Sequence, residues 1–203
     1  MDRLRRTRKS YEQIAGAFLQ SAADRSRVRP AIARFVDQLP APGPVLDLGC
    51  GPGWDSAELH ARGADAIALD LSEAMLRVAV ERYPGPRVQA DMRRLPFAAA
   101  TFAGVWSNAS LLHLSREDFS EALREARRVL LPSGLMRLTL KTGQPDGFDA
   151  KYGADSPRWF TYWDDASLDA RIERAGFRTL QGETKEAPSS TWLIRLLRAP
   201  GSR

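Results

Sequence analysis

Residues 45–54 read Val-Leu-Asp-Leu-Gly-Cys-Gly-Pro-Gly-Trp, and this segment decides the fold. An apolar strand runs directly into a turn with three glycines, and a helical pattern follows. Such a turn lets a ligand approach backbone N–H groups that no side chain blocks. A dinucleotide-binding turn would carry glycine at position 54, where this chain has Trp54. The segment therefore predicts a ligand-binding turn of another type.

Acidic residues near this turn indicate the charge of its ligand. Asp47 would repel a pyrophosphate, whereas it would favour an ammonium or sulfonium group. Asp70 ends the next predicted strand, where a carboxylate can accept hydrogen bonds from both ribose hydroxyls. After the third strand, Asp91 can accept from an adenine amino group, and Met92 can pack on the ring.

Short apolar runs alternate with helical patterns along most of the chain. This order predicts crossover connections and a parallel sheet with helices on both faces. A helix is expected to begin at Ser10, because Ser10 and Gln13 have the form of a capping box. The predicted strands are 45–48, 66–69, 87–90, 102–106, 135–140, 177–181 and 191–197, and other predicted helices cover 28–39, 115–131 and 164–175.

Composition limits the classes of protein that the chain can form. With 203 residues, of which 43% are hydrophobic and 27% charged, the sequence predicts a single globular domain over residues 1–203 and no membrane span. Cys50 is the only cysteine, so no intramolecular disulfide can form. The net charge is +5, with five basic residues among the first ten. No apolar stretch follows them as a signal peptide would require, so a cytoplasmic protein is expected.

Five elements in order resemble the motifs of the class I S-adenosylmethionine-dependent methyltransferases, in particular small bacterial ones. Residues 45–54 resemble the first motif of that family. The others are 68–76, 89–92, 106–113 and 128–134, and residues 11–15 are similar to the N-terminal helix that covers the cofactor. The resemblance implies a Rossmann-like α/β fold, with a seven-stranded, mostly parallel sheet, helices on both faces and a C-terminal antiparallel hairpin.

The resemblance also implies a cofactor, S-adenosyl-L-methionine, and residues that bind it. The glycines would pass close to its methionine part, Asp47 would lie near its amino group, and Asp70 would bind its ribose. Residues 1–40 would form a helical cap over it. The full implied set is Tyr11, Asp47, Gly49, Cys50, Gly51, Gly53, Asp70, Leu71, Met75, Asp91, Met92 and Ser107.

The acceptor side is less defined by the sequence. His113 follows the fourth predicted strand and is the candidate general base, with a pKa that can lie near working pH; a structural role is the alternative. The aromatic segment 141–163 is expected to be a substrate-side loop, or else to pack on the edge of the core. Candidate acceptor-binding residues are Asn108, Lys141, Arg158 and Tyr162. No carboxylate cluster suggests a metal site.

The sequence leaves several functions open. The first hypothesis is a metal-independent, in-line methyl transfer to a small-molecule acceptor, for example in specialised metabolism, by a monomer or homodimer. The alternatives are a methyltransferase acting on tRNA, rRNA or protein, with Arg3 to Lys9 gripping phosphates, and a non-catalytic protein that binds S-adenosylmethionine. Nucleic acid is disfavoured because the basic segment is short and lacks aromatic residues. Trp54 and Asp47 also argue against an NAD-dependent oxidoreductase.

Overall fold

The structure, a computed structural model, describes residues 2–21, 24–188 and 190–201, and the other positions of the predicted 1–203 domain lie outside the described residues. Its helices are α1 (Arg3–Ser21), α2 (Arg29–Asp37), α3 (Trp54–Ala61), α4 (Glu73–Ala79), α5 (Arg116–Val129) and α6 (Asp165–Arg174), with a 3₁₀ turn at Leu111–His113. Its strands are β1 (Val45–Leu48), β2 (Ala66–Asp70), β3 (Arg87–Gln89), β4 (Phe102–Asn108), β5 (Leu130–Thr142), β6 (Gly147–Asp149), β7 (Arg158–Phe160), β8 (Arg178–Ala187) and β9 (Ser190–Arg198).

Seven strands form one sheet in the order β3-β2-β1-β4-β5-β9-β8. The first five are parallel, and β9 pairs antiparallel with both β5 and β8. This is the Rossmann-like sheet and closing hairpin that the resemblance implies. The chain moves outward from β1 to β3 and then returns to β4 beside β1. A topological switch point therefore lies between β1 and β4, where such sheets bind their ligands.

Two hydrophobic clusters show that apolar side chains of the sheet are covered by helices. Leu46 and Leu48 join the cluster that includes residues of α5 and α6, whereas Val45 joins the cluster that includes residues of α2 and α3. Adjacent residues of a strand point to opposite faces, so β1 is buried between the two helical layers. All four of its residues are buried, including the acid Asp47.

Side-chain caps fix where several helices begin. Ser115 accepts a hydrogen bond from the N–H of Asp118, and Asp164 accepts one from Ser167, at the starts of α5 and α6. The capping box predicted at Ser10 is wrong. Helix α1 already begins at Arg3, so Ser10 lies inside it and donates hydrogen bonds to the carbonyl oxygens of Arg6 and Pro157.

Hydrogen bonds on two faces of helix α1 hold it in place. The carboxylate of Glu12 accepts from the N–H groups of Glu73 and Ala74, at 2.9 and 3.0 Å, and so caps α4 from outside. On the other side, Thr7 Oγ1 accepts from the N–H of Trp159 in β7 at 2.9 Å. The segment 141–163 is more regular than predicted, because β6 and β7 pair in it as a two-stranded antiparallel sheet.

Candidate active site

A cavity opens at the carboxyl ends of β1, β2 and β4, beneath α1, at the switch point of the sheet. Its walls combine residues far apart in sequence. They are Leu4, Thr7, Arg8, Tyr11 and Phe18 of α1, then Arg25, Asp47, Gly49, Cys50, Gly51, Pro52, Trp54, Asp55, Asp70, Leu71, Ser72, Met75, Asp91, Met92, Asn108, Ala109, Ser110, His113 and Leu114.

The three glycines of the turn have different roles. Gly49 has φ +80°, and a Cβ there would overlap the Cβ of Ser110, so only glycine fits. Gly51 has φ +53°, and a Cβ there would meet only the ring of Phe18, at 3.9 Å. The backbone at Gly51 is therefore open toward the cavity. Gly53 packs behind it against Ala79 of α4, where a Cβ would approach the Ala79 Cβ to 2.9 Å, and it does not line the cavity.

Asp70 joins the glycine turn to the end of β2. Its Oδ2 accepts the N–H of Gly51 and its Oδ1 accepts the N–H of Ser72, each at 2.8 Å. Burial raises the pKa of Asp70, and the two backbone hydrogen bonds oppose that rise. Each oxygen keeps a lone pair beyond these bonds, and the residue lines the cavity. This carboxylate can therefore accept hydrogen bonds from two neighbouring hydroxyls.

A second acid, Asp47, is buried at the end of β1, with 2% of its surface exposed. Ser56 Oγ donates to its Oδ2 at 2.5 Å. Burial, together with the nearby charge of Asp55, raises the pKa of Asp47 to about 8. Two acids this close favour an incoming cation, because it would relieve both the burial and the repulsion. An ammonium group fits this place.

Asp55 is a site residue that the sequence reasoning missed. It forms an ion pair with Arg25, and its Oδ2 accepts from Trp106 Nε1 at 2.9 Å and from Asn108 Nδ2 at 3.0 Å. Its place in the first turn of α3, directly after the glycine turn, was a usable signal. Arg25 lies in the connection before α2, and no sequence pattern marks it.

The apolar side of the cavity is formed by Leu71, Met75 and Met92. Asp91 lies beside them and is shared with Arg93, whose Nη2 donates to Oδ2 at 2.7 Å. Although burial raises the pKa of Asp91, the hydrogen bonds from Arg93 leave it below its ordinary value. Asp91 is therefore an ionised acceptor next to an apolar surface.

Two of the predicted cofactor-binding residues, Cys50 and Ser107, lie near the glycine turn but offer no ionised group to a ligand. Cys50 lines the cavity, and burial raises the pKa of its thiol well above the ordinary value, so it is an unreactive wall residue. Ser107 does not line the cavity. Its hydroxyl lies 2.8 Å from that of Ser110, which donates to the carbonyl oxygen of Leu48. Ser107 therefore supports the wall from behind.

His113 and Tyr11 form a hydrogen-bonded pair at the end of the cavity. Tyr11 Oη lies 2.8 Å from His113 Nε2, and His113 Nδ1 lies 2.6 Å from the carbonyl oxygen of Trp159. A carbonyl oxygen only accepts, so Nδ1 carries the proton and Nε2 accepts from the tyrosine. Burial lowers the pKa of His113 to about 3. The expected titration near working pH is therefore wrong, and the imidazole is neutral.

The predicted acceptor-binding residues occupy different positions. Asn108 lines the cavity, whereas Lys141, Arg158 and Tyr162 do not. Arg158 is only 6% exposed and lies behind Tyr11, with Nη1 3.5 Å from the phenol oxygen and Nη2 3.1 Å from Asp149. Lys141 Nζ lies 4.3 Å from the ring centroid of Phe160. A direct contact of these three with the acceptor stays a prediction.

Four lining residues of α1 were also missed: Leu4, Thr7, Arg8 and Phe18. Leu4, Thr7, Arg8 and Tyr11 follow the spacing of one helical face. A helix start at Arg3 instead of Ser10 would have revealed this face. Within the described residues, no group of three or more His, Cys, Asp or Glu is arranged to hold a metal ion. None of the helices in that part of the chain is long and apolar enough to cross a membrane.

The chemistry of this donor set fits S-adenosylmethionine. Asp70 offers two acceptors for ribose hydroxyls, the buried Asp47 fits the ammonium group, and the open backbone at Gly51 leaves room for the methionine part. Asp91 and Met92 can hold the adenine amino group and ring.

Comparisons with known proteins show similarity to methyltransferases. A family model described as a methyltransferase domain matches residues 46–138. A malonyl-[acyl-carrier protein] O-methyltransferase of Dechloromonas aromatica is 39% identical over 136 residues, which cover 66% of this chain and 49% of that protein. The enzyme of the same name from Methylovorus is 38% identical over 144 residues, covering 64% and 48%. The chain thus spans about half the length of these curated relatives.

The fold has close structural neighbours. The crystal structure of Burkholderia thailandensis 1,6-didemethyltoxoflavin-N1-methyltransferase, with bound 1,6-didemethyltoxoflavin and S-adenosylhomocysteine, aligns with a TM-score of 0.77 and 21% identity. The alignment covers 95% of this chain and 87% of that chain. This likeness shows the fold. Together with the matched domain over residues 46–138 and the curated relatives, it supports a class I S-adenosylmethionine-dependent methyltransferase.

Proposed function

We propose that the chain transfers a methyl group from S-adenosylmethionine to a carboxylate oxygen of a small-molecule acceptor, either free or held as a thioester. The single observation that carries the choice of acceptor is the low basicity of His113, because burial lowers its pKa to about 3 and both of its ring nitrogens are in hydrogen bonds within the protein. An acceptor in this cavity therefore has to be a nucleophile already at neutral pH. A carboxylate meets that condition without a base.

The cofactor supplies an electrophilic methyl group on a positively charged sulfur. The chain's own residues position the cofactor and the acceptor, and they exclude water from the cavity. Asp70 holds the ribose of the cofactor and Asp47 its ammonium group, and α1 closes the cavity from above through Glu12 and Thr7. Most of the rate enhancement in such a displacement comes from near-attack positioning.

The charge of the cavity favours an anionic acceptor. Arg8 and Arg25 are the arginines that line it, and Arg25 is paired with Asp55. Arg8 is exposed, and no ion pair within 4.0 Å joins it to another described residue. Leu4 and Leu114 provide apolar surface beside it. A small acceptor with one carboxylate near Arg8 matches these walls, and the curated relatives are named for methylating a malonyl thioester.

His113 then acts as a positioning residue, because its Nε2 fixes the hydroxyl of Tyr11 at the cavity wall. The segment 141–163 contributes no lining residue, but it holds the roof, since Pro157 and Trp159 bond to α1 and to His113. We propose that this segment shapes the acceptor end indirectly. Of the predicted cap 1–40, the described lining residues come from α1 and from Arg25.

The basic N-terminal segment is not a free tail for gripping phosphates. The guanidinium of Arg3 lies 4.0 Å from the ring centroid of Trp159, and that of Arg6 lies 4.6 Å from that of Phe148. These arginines pack α1 onto the β6–β7 hairpin. A small acceptor is therefore favoured over tRNA or rRNA. The cytoplasmic location and the monomeric or homodimeric state stay predictions.

The proposal is tested with purified protein, methyl-labelled S-adenosylmethionine and a panel of acceptors: malonyl-coenzyme A, an aliphatic amine and a phenol. We expect label on the malonyl carboxylate. Arg8→Met should lower kcat/KM for that acceptor by about tenfold or more while cofactor affinity stays within about twofold. Arg5→Met, exposed one turn earlier on α1 and away from the cavity, is the matched control.

Different failures have different meanings. Absence of cofactor binding would contradict the methyltransferase function itself. Cofactor binding with transfer only to the amine or the phenol would reject the carboxylate acceptor. Equal losses in Arg8→Met and Arg5→Met would remove Arg8 from acceptor binding.

A further inference from the structure

A second cleft lies between α2 and the outer strands β5, β8 and β9. Its lining includes Arg34 and Gln38 of α2, Arg137 of β5, and Gln181 and Glu183 of β8. It shares no lining residue with the cofactor cavity among the described residues. The family motifs and the proposed methyl transfer do not use it.

Arg137 is the unusual group in this cleft. Its guanidinium stacks on the buried Trp106, 4.5 Å from the ring centroid. Its Nη1 is buried and has no hydrogen-bond partner in the part of the chain that is described. Burial is the main reason why the pKa of Arg137 is lowered to about 10. A buried donor without an acceptor is costly, and buried charges are normally paired.

The positive charge of Arg34 adds to the unpaired positive charge of Arg137. Arg34 lines the same cleft, and its charge further lowers the pKa of Arg137. Glu183 and, beyond the indole, Asp55 oppose that effect. Yet among the described residues, no ion pair within 4.0 Å involves Arg34 or Arg137. The two guanidiniums therefore face one cleft without a bound counter-charge.

We propose that this cleft binds a small phosphate group, with Arg137 and Arg34 donating to its oxygens. Arginine forks match the geometry of such oxyanions, and the amides of Gln38 and Gln181 add N–H donors. Glu183 in the same cleft accepts from a phosphate hydroxyl, which a carboxylate ligand does not have. A singly protonated phosphate is therefore favoured over a carboxylate. The group can come from free inorganic phosphate or from a small phosphate monoester.

The test is thermal unfolding with inorganic phosphate or glycerol phosphate, at constant ionic strength set by chloride. At about ten times its dissociation constant, phosphate should raise the melting temperature of the unmodified protein by about 3 to 5 °C. Arg137→Met, which keeps the volume of the side chain, should abolish this shift. Arg124→Met is the matched control, because Arg124 is exposed on α5. Phosphate should raise the melting temperature of this variant as much as that of the unmodified protein.

Arg34→Met is the second variant, because Arg34 is exposed and its replacement leaves the core intact. It should raise the dissociation constant for phosphate by about tenfold. A response to the inorganic ion alone assigns free phosphate as the source, and a response to both probes extends the site to monoesters. No shift with either probe, or an equal shift in Arg137→Met, overturns the proposal.

Discussion

The two ends of the active-site cavity are built in opposite ways. The cofactor end uses backbone geometry: Gly49 and Gly51 in left-handed conformations, and Asp70 bonded to two N–H groups. The acceptor end uses side chains from distant segments, with Tyr11, His113 and the carbonyl of Trp159 in one chain of hydrogen bonds. We propose that the first end binds the cofactor, whereas the second can change with the acceptor without disturbing the sheet.

The largest effect is expected from a substitution inside the glycine turn. Gly49→Ala forces a Cβ into Ser110 at a positive φ and should lower the free energy of unfolding by about 3 kcal/mol or more. Gly51→Ala, with open space toward Phe18, should cost only about 1–2 kcal/mol. Urea unfolding followed by circular dichroism compares the two variants. Equal losses would show that close packing against Ser110 is not what requires glycine at position 49.

The next effect concerns ligand binding without loss of fold. Asp70→Ala removes the carboxylate at the end of β2 and should weaken the affinity for S-adenosylmethionine by about 30- to 100-fold, since hydrogen bonds to charged groups are the strong ones. Calorimetric titration with S-adenosylmethionine and S-adenosylhomocysteine measures it. Asp65→Ala, at an exposed acid just before β2, is the control. Unchanged affinity in Asp70→Ala would remove Asp70 from the cofactor site.

The smallest effect is a pH dependence at the acceptor end. Because the pKa of His113 is lowered to about 3, the unfolded chain binds more protons than the folded one between about pH 3 and 6.5. His113 therefore lowers stability as the pH falls through that range, by up to about 1.4 kcal/mol per pH unit. His113→Gln keeps an acceptor for Tyr11 and should show a shallower slope in urea unfolding between pH 6.5 and 5. The same slope in both proteins would mean that His113 is not held neutral.

The positions of the acids and glycines that line the cavity could be predicted from the sequence because the determining signals are local. The acids at the ends of β1 and β2 and the glycine spacing all lie within short segments, so strand and turn patterns place them correctly. Arg25 and Asp55 show the limit of this reasoning. Their ion pair depends on how the connection before α2 folds over α3, and that is a tertiary contact.

The acceptor end was less predictable for the same physical reason. The pKa of His113 depends on burial beneath α1 and on the carbonyl of Trp159, which is 46 positions away in the chain. The start of α1 was placed too late, because Ser10 and Gln13 mimic a cap. Ser10 instead uses its hydroxyl for the backbone of its own helix and of Pro157.

The hydrogen bonds that hold α1 over the cavity also limit the order in which the structure can form during synthesis. Ser10 reaches Pro157 across 147 positions, and Thr7 reaches Trp159 across 152. The ribosome therefore makes α1 long before the residues on which it docks. The glycine turn and Asp70 can therefore come together on the growing chain before the β6–β7 hairpin, on which α1 docks, has been made. The enclosed cavity can form only after Pro157 and Trp159 have been made.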